Sequence, residues 1–231
     1  MSEKAVYDYS VRTYDASARS GIPESELLRA NGEIRRYLSR DDARPLAVTV
    51  RKNSGDQVSL FNAREIVHMA DVRDLVRALF DVQVLAVAAV LTLAVIMLVL
   101  WPPRALAAAA LYGSLLTGGV LAVAGVLAVS GFDAAWGQFH LIAFSNDLWK
   151  LNPGTDHLIQ MFPEAFWERI TTVIGGFTML EALAIGSVSA VYLLRSRPRE
   201  RGQAVRPAPL LPGPAGHSRS LTPPNPRHYV R

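Results

Sequence analysis

Three long runs without charge decide what this chain can fold into. Residues 82–100 (VQVLAVAAVLTLAVIMLVL) hold 19 positions without Asp, Glu, Lys or Arg. A helix rising about 1.5 Å per residue makes that run roughly as long as the 30 Å hydrocarbon core of a bilayer. Residues 105–132 form a second uncharged run, rich in Ala, Gly and Leu, and residues 171–194 a third, interrupted by Glu181. A soluble protein of 231 residues has no interior large enough to bury three such helices. The expected fold class is therefore an α-helical integral membrane protein with three transmembrane helices.

Charge divides the chain in the same places. Residues 1–78 carry 13 Lys/Arg and 12 Asp/Glu, residues 79–194 carry 3 and 7, and residues 195–231 carry 8 and 1. The net charge of +4 thus comes from the tail, and it marks no nucleic-acid-binding face. The absence of cysteine excludes disulfides, thiolate catalysis and Cys-ligated metal. Lys and Arg near the spans orient them. The tail begins RSRPRERGQAVR and is expected to be cytoplasmic, as is the short link holding Arg104. Residues 133–170 hold only Lys150 and Arg169 against five acids, so they are expected outside, together with residues 1–78. A polar N-terminal segment on the outside needs a way across the bilayer. The expectation is a further apolar helix upstream, lost to a misassigned start or a truncation.

Six segments follow from these runs. Residues 1–78 read as a small extracytoplasmic α/β domain with a pre-membrane helix, and residues 79–104 as a span and its cytoplasmic link. Residues 105–132 are a second span, 133–170 a helical or re-entrant outer cap, 171–194 a third span, and 195–231 a disordered basic tail. Within the first segment, residues 1–20 give weak structure signals. Pro23 followed by acids predicts a helix over about 23–39. Alternation at 46–52 and 57–61 around Asn53-Ser54-Gly55-Asp56 predicts a hairpin. Asn62 with Glu65 predicts a capping-box start for a helix that runs from Ala63 into the membrane. Thr155 is expected to cap a short helix after the Pro153-Gly154 turn.

The chain lacks the GxSxG elbow, the Walker loop, HExxH, the EF-hand loop and the HxxxxD acyltransferase pattern. What remains is histidine and carboxylate at the outer membrane surface. His68 stands on the pre-membrane helix with Asp71 three residues on and Arg64 four before, all able to share one face. A carboxylate there can orient an imidazole and raise its pKa, although the same spacing also describes an ordinary surface ion cluster. His140 opens the outer cap, followed by Asn146 and Asp147 in a turn. His157 reads as structural, because a helix N-terminus disfavours a second positive charge. Glu181, about ten residues into the last span, is either functional or a protonated structural carboxyl. His217 and His228 fall in the tail and carry no expected role.

The segments HMADV at 68–72 and FHLIAFSNDLWKLNPGTDHLIQMFP at 139–163, with GIPESELL at 21–28 and LFNAREIVHM at 60–69, occur here in order. Together they resemble the lipoprotein intramolecular transacylases of bacterial cell membranes, over roughly residues 5–195. Members usually have four spans, the first at the N-terminus, whereas three are legible here. The resemblance implies an acyltransferase that needs no cofactor. It also implies partners: diacylglyceryl-modified lipoproteins and membrane lipids, and no nucleic acid. One ester-linked acyl chain would move from the glyceryl group to the N-terminal α-amine of the modified cysteine. The family's functional histidines map onto His68 and His140, which should then meet within roughly 10 Å beside a lipid-width crevice. Asp71 or Asp147 is a candidate orienter, and Asn146 a candidate oxyanion donor. Two readings compete: a non-enzymatic membrane component, favoured if Glu181 faces a water-filled path, and a metal-dependent membrane hydrolase using His68, His140, His157 and aspartates.

Overall fold

The computed structural model describes residues 3–39 and 44–196. The tail expected to be disordered and basic lies outside those residues, apart from Arg195 and Ser196. Eight helices and one hairpin occur among the described residues. They are α1 (Glu3–Thr13), α2 (Ala16–Ser20), α3 (Glu24–Leu38), β1 (Thr49–Arg51), β2 (Gln57–Ser59), α4 (Ala63–Leu100), α5 (Pro103–Ser130), α6 (Phe132–Ala143), α7 (His157–Met161) and α8 (Glu164–Arg195). Three of the helices, α4, α5 and α8, are long and apolar enough to cross a membrane.

Helix α4 begins on the capping box read from the sequence. The Asn62 side chain accepts from the Glu65 amide at 3.0 Å, and Glu65 Oε2 accepts from the Asn62 amide at 2.8 Å. The helix then runs 38 residues without a break, so its first turns are welded to its membrane-crossing part. It stops at Trp101-Pro102, and Pro103 opens α5 at its first helical position, where a missing N–H costs nothing. Large apolar side chains of the three long helices stay exposed, among them Leu85, Val99, Leu116 and Val188. That is the surface a lipid-facing helix presents, since lipid tails solvate leucine as well as another helix does.

Helices α5 and α8 pack together along much of their length. Gly186 makes the close approach possible, because a Cβ there would stand 3.2 Å from Ser114 Cβ. Ala182 and Ser189 complete the buried stripe of α8, as small residues do where membrane helices pack tightly. By contrast, the membrane part of α4 is exposed almost all round.

The hydrophobic core sits at one end of these helices. Helix α3 turns Leu27, Ala30, Ile34 and Tyr37 inward at helical spacing. They pack with Val50 and Leu60 of the hairpin region, Met69 of α4, and Met161, Phe162 and Phe166 around α7 and the start of α8. The hairpin pairs antiparallel in the register Thr49 with Ser59 and Val50 with Val58.

Residues 1–20 depart from expectation. They gave weak signals in the sequence, yet they form α1 and α2. Tertiary contacts hold them: Ser10 Oγ donates to the Met161 carbonyl, Arg19 to the Gln160 carbonyl at 2.7 Å, and Tyr14 Oη to the Ala165 carbonyl at 3.0 Å. Gly21 ends α2 with φ +68°, a left-handed conformation that glycine adopts without steric penalty. The expected outer cap is also more helical than read, with α6 occupying its first third. Asp156 rather than Thr155 caps α7. Its side chain makes no bond to the helix; the carboxylate instead accepts from the Asn152 amide at 2.7 Å and the Asn62 side chain at 2.9 Å.

Candidate active site

His68 lies on the second turn of α4, before the membrane-crossing part begins, and His140 on the last turn of α6. Helix α6 folds back from α5 at Gly131 and carries its imidazole over α4. The two rings come to 6.2 Å between centroids, tilted by 36°. Both are buried, His68 at 6% exposure and His140 at 8%.

Aromatic rings wrap the pair. Trp149 stacks on His140 at 4.8 Å and 28°, while Trp136 meets it edge-on at 4.7 Å. Phe144 packs edge-on against His68 at 5.1 Å and also contacts His140. The two rings line a crevice of about 530 Å³. Apolar residues of α4 (Val72, Leu75, Val76, Leu79) form one wall, and Trp167 and Ile170 of α8 another. Polar groups reach it only at a few points, including Asp133 and Glu164 at the starts of α6 and α8 and Lys150 in the segment after α6. A volume of this kind, mostly apolar with a few convergent polar atoms, is typical of a small-molecule or lipid site.

Hydrogen bonding fixes one tautomer. His140 Nδ1 stands 2.8 Å from the Trp136 carbonyl, which can only accept, so Nδ1 carries the hydrogen. In the neutral ring Nε2 then holds the lone pair. His68 Nδ1 is buried with no hydrogen-bond partner among the described residues. Burial, reinforced by the neighbouring His140, pushes the His68 pKa down to about 4, against a smaller opposing pull from the Asp71 charge. Burial also lowers that of His140, partly offset by the bond to the Trp136 carbonyl.

A pH-dependent stability follows. With the folded value below the ordinary 6.5, the unfolded chain takes up a proton before the folded one. Stability is unaffected above about pH 6.5 and is lost progressively down to about pH 4, by about 3 kcal/mol from this group. His68→Gln removes the effect. The difference in thermal midpoint between wild type and His68→Gln should therefore shift in favour of the variant as pH falls through that window. A difference that does not change with pH would contradict the depressed value.

The other expected site residues are placed differently from the sequence reading. Asp71 does not hydrogen-bond to the imidazole; it accepts from Asn146 Nδ2 at 2.9 Å. Asn146 Oδ1 accepts from the Leu148 amide, so both ends of that side chain are engaged in holding the turn after α6. Asp147 is exposed and pairs with Lys150 at 2.7 Å. Arg64 donates to the Asp147 carbonyl at 2.8 Å instead of joining an ion cluster with Asp71. These groups fasten the 144–150 turn onto α4. The physical reason is that α6 brings a second chain segment against this face of α4, and its partners displace the intrahelical ones.

His157 bonds to Gln160 at 2.8 Å within α7 and does not line the crevice. Glu181 is exposed on α8, about 25 Å along the helix axis from Glu164. No group of three His, Asp or Glu side chains that could share a metal ion occurs among the described residues. One further polar group at the site has no counterpart in the sequence reading, the indole N–H of Trp149. Its Nε1 is buried without a hydrogen-bond acceptor among the described residues, although its ring lies on His140.

The arrangement can do acid–base chemistry in a mostly apolar, lipid-sized space, with one lone pair presented by a fixed ring and a second imidazole beside it. No curated protein sequence matches the chain. The in meso structure of the membrane-integral lipoprotein intramolecular transacylase Lit from Bacillus cereus matches with a TM-score of 0.66, at 20% identity, over 84% of each chain. At that identity the likeness speaks for a shared fold. The sequence profile described as lipoprotein intramolecular transacylase Lit matches residues 1–167. With most of its length covered by that profile, this membrane protein belongs to the lipoprotein intramolecular transacylase family, a family of acyltransferases.

Proposed function

We propose that this chain transfers one ester-linked acyl chain of a diacylglyceryl-cysteine lipoprotein to the α-amine of that same cysteine. His68 and His140 provide the acid–base chemistry without a cofactor. The observation that carries this reading is the 6.2 Å approach of two imidazoles inside a mostly apolar crevice.

The reaction needs no external nucleophile. The neutral amine attacks the ester carbonyl and the tetrahedral intermediate collapses. The ester C–O bond breaks as the amide C–N bond forms, and one proton passes from nitrogen to the glyceryl oxygen. Donor and acceptor share one molecule, so holding them in contact replaces a bimolecular encounter, with effective molarities on the order of 10⁵–10⁸ M. His140 Nε2, with its lone pair exposed by the Nδ1 bond, takes the proton from the attacking amine. The imidazolium so formed on His140 hands that proton to the departing glyceryl oxygen, while His68, neutral beside it, hydrogen-bonds the reacting groups. Depressed pKa values keep both rings neutral near neutral pH, so His140 is free to accept a proton and gives it up readily once it has become imidazolium. The acyl chains lie against the apolar crevice wall formed by Val72, Leu75, Val76 and Leu79 of α4 and Trp167 and Ile170 of α8.

Orientation follows from the positive residues. Arg104 and Arg195 mark the end of the helices opposite the crevice, so that end faces the cytoplasm and the N-terminal domain lies outside. The substrate's modified cysteine would approach from the outer leaflet.

The reading is tested by expressing the protein in bacteria that lack any other lipoprotein N-acylating activity. Mass spectrometry of a tryptic lipoprotein N-terminus should then show an N-acyl-cysteine carrying a monoacylglyceryl thioether. Lipoproteins that remain diacylglyceryl-modified with a free α-amine would refute it.

A further inference from the structure

The tetrahedral intermediate carries a negative charge on the former carbonyl oxygen, and such charge is stabilised most by donors already aimed and held free of water. Asn146, the donor suggested by residue type, is committed: its amide nitrogen bonds Asp71 at 2.9 Å and its oxygen accepts from Leu148. Trp149 is the contrary case. It lines the same crevice as the two histidines and stacks on His140 at 4.8 Å, so its position relative to the proposed base is fixed. Yet its buried Nε1–H has no acceptor among the described residues. Buried donors are nearly always paired in folded proteins, and an exception beside reacting groups has an explanation when a ligand brings the acceptor. Indole donates and cannot accept, so only an oxygen or another acceptor satisfies it.

We propose that the Trp149 indole N–H is the oxyanion donor of acyl transfer. It bonds the carbonyl oxygen of the migrating acyl group and strengthens that bond as the oxygen becomes anionic. The assignment rests on the transacylase reading and adds a catalytic residue to it. The bond is made in the transition state more than in the ground state, so its loss falls on kcat and leaves KM in place.

The test uses the full-length protein in detergent or lipid with a synthetic diacylglyceryl-cysteine peptide. Trp149→Phe keeps an aromatic ring against His140 and removes the N–H. Benzothienylalanine at the same position keeps the bicyclic shape and replaces the N–H with sulfur, which separates donation from packing. Both substitutions should lower kcat roughly 10²–10³-fold with KM within about twofold. Both should weaken binding of an alkylphosphonate ester of the glyceryl group, whose anionic oxygen mimics the oxyanion, in the same proportion. A benzothienylalanine protein within about threefold of the wild-type kcat, or one changed only in KM, overturns the Trp149 role alone. A wild-type protein that leaves the peptide unchanged overturns the transacylase reading and this assignment with it.

Discussion

His140→Gln is expected to lower the rate of N-acylation by roughly 10²–10⁴-fold, the usual worth of a positioned acid–base group. Glutamine is close to histidine in size and can still donate to the Trp136 carbonyl, which now fixes the ring at 2.8 Å. It has no lone pair of comparable basicity to offer at the position of Nε2. The rings that surround His140 are Trp136, Phe139, Phe144, Trp149 and His68, and a side chain of similar volume leaves that shell supported. The loss should therefore appear in kcat, with the thermal midpoint almost unchanged. Some transfer will persist, because holding ester and amine together supplies much of the acceleration without any base. A His140→Gln protein with wild-type kcat would remove His140 from the reaction.

The second large effect is on stability. Glu65→Ala is expected to cost about 2–5 kcal/mol, because it leaves two buried amides without their acceptor. Glu65 is 1% exposed. One carboxylate oxygen accepts from the Asn62 amide at 2.8 Å and the other from the Leu158 amide at 2.6 Å. A single side chain thus caps α4 and holds α7 against it. Burial raises its pKa despite these bonds, so it resists ionisation in the folded state. Glu65→Gln keeps one acceptor oxygen and should lose less than Glu65→Ala. Because Leu158 and Ile159 line the crevice, activity should fall in parallel with folded fraction and return at lower temperature. The measurement is the thermal midpoint of purified protein alongside the rate at two temperatures. A Glu65→Ala protein as stable as wild type would contradict the bridging role.

What the sequence makes legible follows physical strength. The three apolar runs can be read because a bilayer demands about 20 apolar residues per helix, and few other contexts do. The capping box at Asn62 and Glu65 can be read because its spacing is local. That Glu65 also reaches Leu158 cannot be read, since nothing at position 65 encodes a partner 93 residues away. Helices α1 and α2 were missed for the same reason: their anchors are the carbonyls of Met161, Gln160 and Ala165. His68 and His140 came from ordered motifs that resemble a family, while their approach is a product of α6 folding back at Gly131. Asp71, Asn146 and Asp147 were near the histidines in the chain, but nearness does not decide which acceptor a donor chooses once two segments meet. The unpaired indole N–H of Trp149 left no mark in the sequence at all, because a tryptophan at a membrane surface needs no further reason to be there.

One measurement bears most directly on acyl transfer by the two imidazoles within a single substrate molecule. Purified wild-type protein is given a diacylglyceryl-cysteine peptide with an isotopically labelled acyl chain and a heavy peptide, mixed with an excess of unlabelled peptide and phospholipid. Tandem mass spectrometry then reads which peptide carries the labelled amide. Transfer within one substrate molecule gives labelled amide only on heavy peptide, with a monoacylglyceryl thioether on that same molecule, and no such product from the His68→Gln, His140→Gln double variant. Labelled chains on unlabelled peptide, amides drawn from phospholipid, or undiminished product from the double variant would contradict it.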